Sequence, residues 1–266
     1  MLKKVFVFII WSLVFACETM CAKQGNGFIV TPLAPNAVRI QYTMDGQVPS
    51  SDLPDWLYVK HSAVANCDLI VETDADGTLC VKDKAGRVVF RALRHELKAS
   101  QIPGCGEATH EATLAFFSPA NESLFGLGQF QDGYANVRGL SRRLTQVNTQ
   151  ISLPMLLSSK GYGILWNNYG LTEFNPCNHR VILEAQRSPL NAQREEVNVT
   201  STEGGKREVR ERHVFEAAID LAETGDYALL LDVGQKMARR HNLSIDGETV
   251  IEMQNLWLPP TASKIV

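Results

Sequence analysis

The 266-residue sequence predicts an all-β protein. Three observations carry that expectation. Apolar residues alternate with polar ones at period two, as at Val38, Ile40 and Tyr42. Turn residues recur at short intervals, with Asp76-Gly77, Ala85-Gly86 and Asp246-Gly247 each set between apolar runs. No long segment repeats at the helical period. Many short strands with closely spaced turns point to a large antiparallel sandwich, followed by a second and incomplete β unit.

The opening residues, MLKKVFVFIIWSLVFACETMCAKQ, read as an export leader over residues 1–22. Lys3 and Lys4 form the basic start, and residues 5–15 form an apolar core too short to span a bilayer comfortably. Cleavage after Ala22 or after Cys21 fits this pattern. Val14-Phe15-Ala16-Cys17 offers a lipobox with Cys17 as the lipidated residue, although Phe15 is bulky for it. An uncleaved anchor is the third reading. A secreted or periplasmic location is expected, or an outer-membrane lipoprotein if Cys17 is modified.

Composition narrows the partners. Hydrophobic residues make up 45% and charged residues 21%, the balance of an ordinary globular chain. The formal net charge of -3 provides no footprint for nucleic acid or an anionic membrane. Cys67, Cys80, Cys105 and Cys177 lie outside the leader and match no zinc spacing. Cys67 and Cys80 fall on adjacent expected strands, so an exported protein could pair them; buried free thiols are the other reading.

The elements follow in order. GFIVTPLAPNAVRIQYTM supplies two strands, broken by Pro and Asn, and residues 55–64 supply another. DLIVET, TLCVKD and RVVFRAL form a meander through the turns DADG and KAG, and EATLAFF adds a strand. LPMLLSSKGYGILWNN reads as two strands joined at Ser159-Lys160-Gly161, with Pro154 at a strand start or edge. Residues 188–206 are polar and read as a linker or the start of a new unit. Glu195, Glu196, Glu208 and Glu211, interleaved with Arg207, Arg210 and Arg212, read as a solvated charged face. HVFEAAIDL, YALLLDVG, NLSIDG and ETVIEM are further strands, and Lys264-Ile265-Val266 reads as the start of one more.

The stretch FGLGQFQDG (residues 125–133), followed by NTQISLPMLLSSKGYGILWNN, resembles the N-terminal β-sandwich of glycoside hydrolase family 31, in the manner of secreted bacterial α-xylosidases. The resemblance covers roughly residues 25–190 and implies a galactose-mutarotase-like antiparallel β-sandwich. Residues 191–266, with VFEAAIDLAETGDYALLLDVG, resemble the opening part of a protective-antigen-type domain, truncated here. In that family a (β/α)8 barrel after the sandwich carries the chemistry and needs about 250 residues. Retaining hydrolysis requires two carboxylates about 5 Å apart. The resemblance assigns no catalytic residue within this chain, so the expectation is a front portion that is inactive alone. A separate chain carrying the barrel is the expected partner, together with an oligosaccharide ligand. The reading from a different class is a non-catalytic carbohydrate-binding surface protein.

Sandwich loops in that family reach the mouth of the active site. The resemblance therefore nominates Asn148, Gln131, Asp132 and Gln129, with Asn136 behind them, as substrate-binding residues. Amide and carboxylate side chains suit sugars, which present donors and acceptors together. The alternative is a loop satisfying its own backbone. Gly126, Gly128 and Gly133 permit close backbone approach or ordinary turns, and lack the pattern of a nucleotide loop. Trp166, Asn167, Asn168 and Tyr169 suggest a stacking platform, or simply core; Trp257 is equally ambiguous. His95, His110, His179, His213 and His241 have no metal-ligand spacing, and no cofactor is expected. The run Arg239-Arg240-His241-Asn242 sets basic groups where related domains place calcium-binding carboxylates, which disfavours calcium.

Overall fold

The computed structural model describes residues 5–10, 28–42, 66–74, 77–104, 106, 109–148, 150–168, 170–185, 194–198, 207–211, 214–233, 241–253 and 261–266. The expected strand at residues 55–64 lies outside them, as do Cys105, Tyr169, His213, Arg239, Arg240 and Trp257. The described secondary structure is entirely β. In chain order it comprises β1 (Val5–Ile10), β2 (Phe28–Ala34), β3 (Ala37–Tyr42), β4 (Leu69–Thr73), β5 (Leu79–Asp83), β6 (Val88–Ser100), β7 (Thr109–Phe116), β8 (Leu124–Gln129), β9 (Arg142–Leu144) and β10 (Ile151–Ser158). It continues with β11 (Tyr162–Asn167), β12 (Thr172–Phe174), β13 (Glu184–Ala185), β14 (Arg194–Asn198), β15 (Arg207–Glu211), β16 (Phe215–Glu216), β17 (Ala228–Asp232), β18 (His241–Ile245), β19 (Glu248–Met253) and β20 (Thr261–Ile265).

The chain forms two compact units. The first holds Met1–Gln129, Tyr134–Arg138 and Ser152–Thr172; the second holds Phe130–Gly133, Gly139–Ile151 and Glu173–Val266.

In the first unit a six-stranded sheet runs β2-β3-β1-β11-β10-β8, and a four-stranded sheet runs β4-β5-β6-β7. The meander forms as its sequence suggests. Gly77 and Gly86 take φ of 81° and 78° at the two turns, where L side chains are strained. Asp83 organises the second turn by accepting from the Ala85 and Arg87 amides at 2.9 and 3.0 Å. Strand β6 runs on to Ser100, past the expected RVVFRAL, and pairs with β7 from Ala92↔Phe116 to Ser100↔Thr109. The polar run RHELKAS hid this extension, because its side chains are mostly solvated and cross-strand pairing alone makes it a strand.

Aromatic contacts join the two sheets. Phe28 and Tyr42 meet His95 of β6 at ring distances of 4.7 and 4.6 Å, and Phe90 meets Tyr162 at 6.2 Å. Burial among these aromatics lowers the His95 pKa. Val38, Ile40, Leu79, Val81, Phe90, Leu124 and Ile164 fill the core between them. This is the expected antiparallel sandwich, with one exception at β1.

The leader segment supplies that exception. Val5–Ile10 is a strand, parallel to β11 from Val5↔Tyr162 to Ile10↔Asn167, and parallel to β3 from Phe6↔Ala37 to Ile9↔Ile40. Its VFVFII sequence suits a leader core and a central strand equally, because both need unbroken apolar residues.

The Cys67–Cys80 pairing does not form; both thiols are free. Register is the reason. Cys80 sits opposite Glu72, while Cys67 precedes β4 and points its thiol to the Ala37 carbonyl at 3.9 Å.

The second unit is built from two-stranded ladders. Asp246 and Gly247, at φ of 48° and 88°, make the expected turn between β18 and β19. Within the polar run read as a linker or the start of a new unit, residues 194–198 form β14, which pairs antiparallel with β15 from Arg194↔Glu211 to Asn198↔Arg207. The expected strand HVFEAAIDL shrinks to β16, because Ile219 and Leu221 are exposed and no partner extends the pairing. The C-terminal run extends backward into β20, which pairs antiparallel with β17 from Ala228↔Ile265 to Asp232↔Thr261.

Candidate functional site

The polar block after FGLG was nominated for sugar contact, and the structure separates its members. Gln129 ends β8 in the first unit, exposed. Gln131 and Asp132 share a turn in the second unit, and Asn148 lies in that unit too. Asn148 sits exposed at the tip of a tight turn closed by reciprocal bonds between the Val147 and Gln150 backbones, at 3.2 and 3.1 Å. A side chain at such a tip is presented to solvent by its own backbone.

Asp132 is committed elsewhere. Its Oδ2 accepts from Arg142 Nη2 at 2.5 Å, and the Arg142 side chain is only 2% exposed. Phe130 lies under the guanidinium, 4.0 Å from ring centroid to Cζ. Burial lowers the Arg142 pKa, and Asp132 opposes part of that shift. Asp132 is thus a counter-ion first. Nothing in the sequence singled out Arg142; the only trace is an acidic residue ten positions before it.

Arg143 points differently. It donates to Glu173 at 2.9 Å and to Asp232 at 2.6 Å, tying β9 to β12 and β17. Ser263 of β20 donates to the Ser141 carbonyl at 2.5 Å, and Ser141 donates to the Asn175 carbonyl at 2.6 Å. The loop that carries Asn148 is therefore anchored at its base to the C-terminal strands.

Asn136 is not a free sugar contact. Its Oδ1 accepts from the amides of Leu124 and Arg138, at 3.0 and 3.1 Å, and folds its loop onto β8. Asn168 likewise accepts from the Gly170 amide at 3.0 Å and closes its own turn.

The SSKGYG motif proves to be a staple. Ser159 Oγ accepts from the Ser123 amide at 2.9 Å, and the Ser159 amide donates to the Ser123 carbonyl at 2.9 Å. Ser158 donates its hydroxyl to Glu122, which is 2% exposed. Gly161 closes the turn at φ 88°. Tyr162 lies beside the same carboxylate; burial, and then Glu122, raise its pKa well above the ordinary tyrosine value. A tyrosine raised on folding contributes stability that is whole below its unfolded pKa and is lost as pH climbs. The unfolding free energy is therefore expected to hold steady up to about pH 9 and to fall above about pH 10, and Tyr162→Phe should flatten that alkaline decline in urea melts.

Among the described residues, no group of three or more His, Cys, Asp or Glu is placed to hold a metal ion.

No family model matches the chain. Curated relatives do. An α-xylosidase of Saccharolobus solfataricus is 36% identical over 106 residues, which is 36% of this chain and 14% of that protein. An uncharacterised family 31 glucosidase of Pseudescherichia vulneris is 41% identical over 72 residues, 27% of this chain and 13% of that protein. Among solved structures, the family 31 α-xylosidase of Xanthomonas citri superposes with a TM-score of 0.58 at 17% identity, covering 94% of this chain and 32% of that one. The chain therefore spans about a third of that structure and a smaller share of the curated relatives it matches. Over the part of those relatives that it spans, the chain is similar in sequence to an α-xylosidase and a family 31 glucosidase, and its fold is that of the matching part of a family 31 α-xylosidase.

Proposed function

We propose that this chain is the N-terminal β-sandwich portion of an exported family 31 α-glycosidase that removes α-xylose from oligosaccharides of the xyloglucan type. The observation that supports it most is the 36% identity over 106 residues to an α-xylosidase. In this reading the chemistry belongs to a (β/α)8 barrel outside these residues. The sandwich contributes position and rim contacts. Residues 1–22 direct export and are then removed, or Cys17 carries a lipid. Residues 191–266 form part of a protective-antigen-type domain.

The rim contact is assigned to Asn148 and Gln131, the exposed amides of the second unit, with Gln129 and Asp132 secondary because Asp132 already neutralises Arg142. Purified alone, the chain is expected to turn over no aryl α-xyloside while showing the circular dichroism of a folded β protein. Combined with a polypeptide that carries the barrel, it should hydrolyse the α-xyloside. Turnover by the chain alone would overturn the proposal. In the combined enzyme, Asn148→Ala should raise KM about five- to tenfold with kcat nearly unchanged, the size of one lost sugar hydrogen bond.

A further inference from the structure

Gln150 is a buried amide beside an exposed tip. The turn that carries Asn148 presents Gln146 and Asn148 to solvent, whereas Gln150 is only 4% exposed. A buried amide must find its partners within the fold, or its desolvation goes uncompensated. Gln150 Nε2 donates to the Thr145 carbonyl at 2.7 Å. Its backbone meanwhile exchanges two bonds with Val147, at 3.2 and 3.1 Å. One residue therefore closes the turn twice: by its main chain across the tip, and by its side chain back to the base five positions earlier.

The base is fixed on its own account. Arg143 is held by Glu173 and Asp232, and Ser141 is bonded to Asn175 and Ser263. Thr145 follows directly on β9. The Gln150 side chain carries that rigidity from Thr145 into the turn. The two backbone bonds lie toward the long end of the N–H···O range, next to exposed residues where water competes for the same groups. The side-chain bond is shorter and part-buried.

We propose that Gln150 is the positioning residue of the rim contact: its side chain holds the turn so that the Asn148 amide faces a sugar with one donor and one acceptor already in place, while Gln150 itself touches no sugar. The inference rests on the reading of Asn148 as a rim contact. A contact on a held turn is present at every encounter. On a loosened turn it is present only for the fraction of time that the turn is formed, and apparent affinity falls by that fraction. The loss has a ceiling, because removing Gln150 cannot cost more than removing the Asn148 contact itself.

Gln150→Met keeps the length of the side chain and removes the donor. In the full chain, amide exchange at Val147 is expected to quicken at least tenfold, with the amides of β17 and β20 unchanged. Combined with a polypeptide that carries the barrel, the same variant should raise KM about three- to fivefold with kcat nearly unchanged. Gln150→Met/Asn148→Ala should match Asn148→Ala to within about twofold, since both act through one contact. Gln150→Glu is the second arm. Its carboxylate has no proton to offer the Thr145 carbonyl at about pH 7.5, whereas the protonated carboxyl at about pH 4.5 does. Protection of the Val147 amide should therefore fall at the higher pH and return to within about threefold of the parent chain at the lower, a rescue that a mere packing role does not produce. This arm also serves if Gln150→Met fails to fold. Unchanged exchange at Val147 in these variants would overturn the positioning role, whatever Asn148 does. Additive effects on KM in the double variant would overturn it as well, because Gln150 would then act apart from Asn148. Faster exchange with KM unmoved by Asn148→Ala would overturn the rim reading, and this proposal with it.

Discussion

Asp132→Ala is expected to lower the unfolding free energy by about 3 kcal/mol, near the low end of the cost of stripping a buried charge of its partner. The Arg142 side chain is 2% exposed and its ion pair to Asp132 spans 2.5 Å. With the carboxylate gone, the guanidinium retains only Phe130 beneath it. A cation–π contact of about 1–2 kcal/mol does not offset the desolvation of a full charge. Urea melts of the single variants and of Asp132→Ala/Arg142→Met distinguish a charge effect from a packing effect. The double variant should recover much of the loss, because it buries no charge at all. Equal losses in the single and double variants would show that Asp132 matters only through packing.

Gly126→Ala is expected to be comparably damaging, by about 2–4 kcal/mol, and to act by separating β8 from β10. Gly126 sits at φ 113°, a backbone state that L side chains rarely adopt. A Cβ built there falls well inside van der Waals contact distance of the Met155 carbonyl oxygen and 3.3 Å from its carbon. Backbone cannot rotate aside as a side chain can. Strain of about 1–3 kcal/mol therefore adds to an overpacking cost of similar size. Gly133→Ala is the control. Its φ is 78°, but nothing lies within 4 Å of the added carbon, so only the backbone term of about 1 kcal/mol applies. Thermal melts of both variants compare them directly. Equal shifts in Tm would mean that contact with Met155 is absorbed elsewhere.

The two predictions bear on one question, since FGLGQFQDG attracted attention as a candidate ligand loop. Gly126 and Gly128 hold φ of 113° and 108°, and Leu127 between them holds 65° while its side chain is buried. Three successive left-handed residues let β8 lie tight against β10 and still send Leu127 into the core. Gly126 serves a close backbone approach to Met155, and Asp132 pairs with a buried cation. The side chains of Gln129, Gln131 and Asn148 stay exposed.

What the sequence by itself determined is the β class, the meander from β4 to the start of β6, the hairpin at Asp246-Gly247 and the turn at Gly161. These follow from local chemistry: period-two alternation selects strands, and glycine selects positive φ. Likeness to family 31 glycosidases was also legible. Tertiary structure decided the rest. Whether Cys67 meets Cys80 depends on register, which period-two patterning leaves open in a strand pair and which places Glu72 opposite Cys80. The polar runs that became β14 and the end of β6 carry no apolar signal, because their strands exist only through a neighbour's hydrogen bonds. The ion pair of Asp132 with Arg142 and the bond of Ser158 to Glu122 join residues whose partnership no spacing announces. A strand is a property of a residue run, whereas a buried charge pair is a property of two runs brought together, and only the folded chain brings them together.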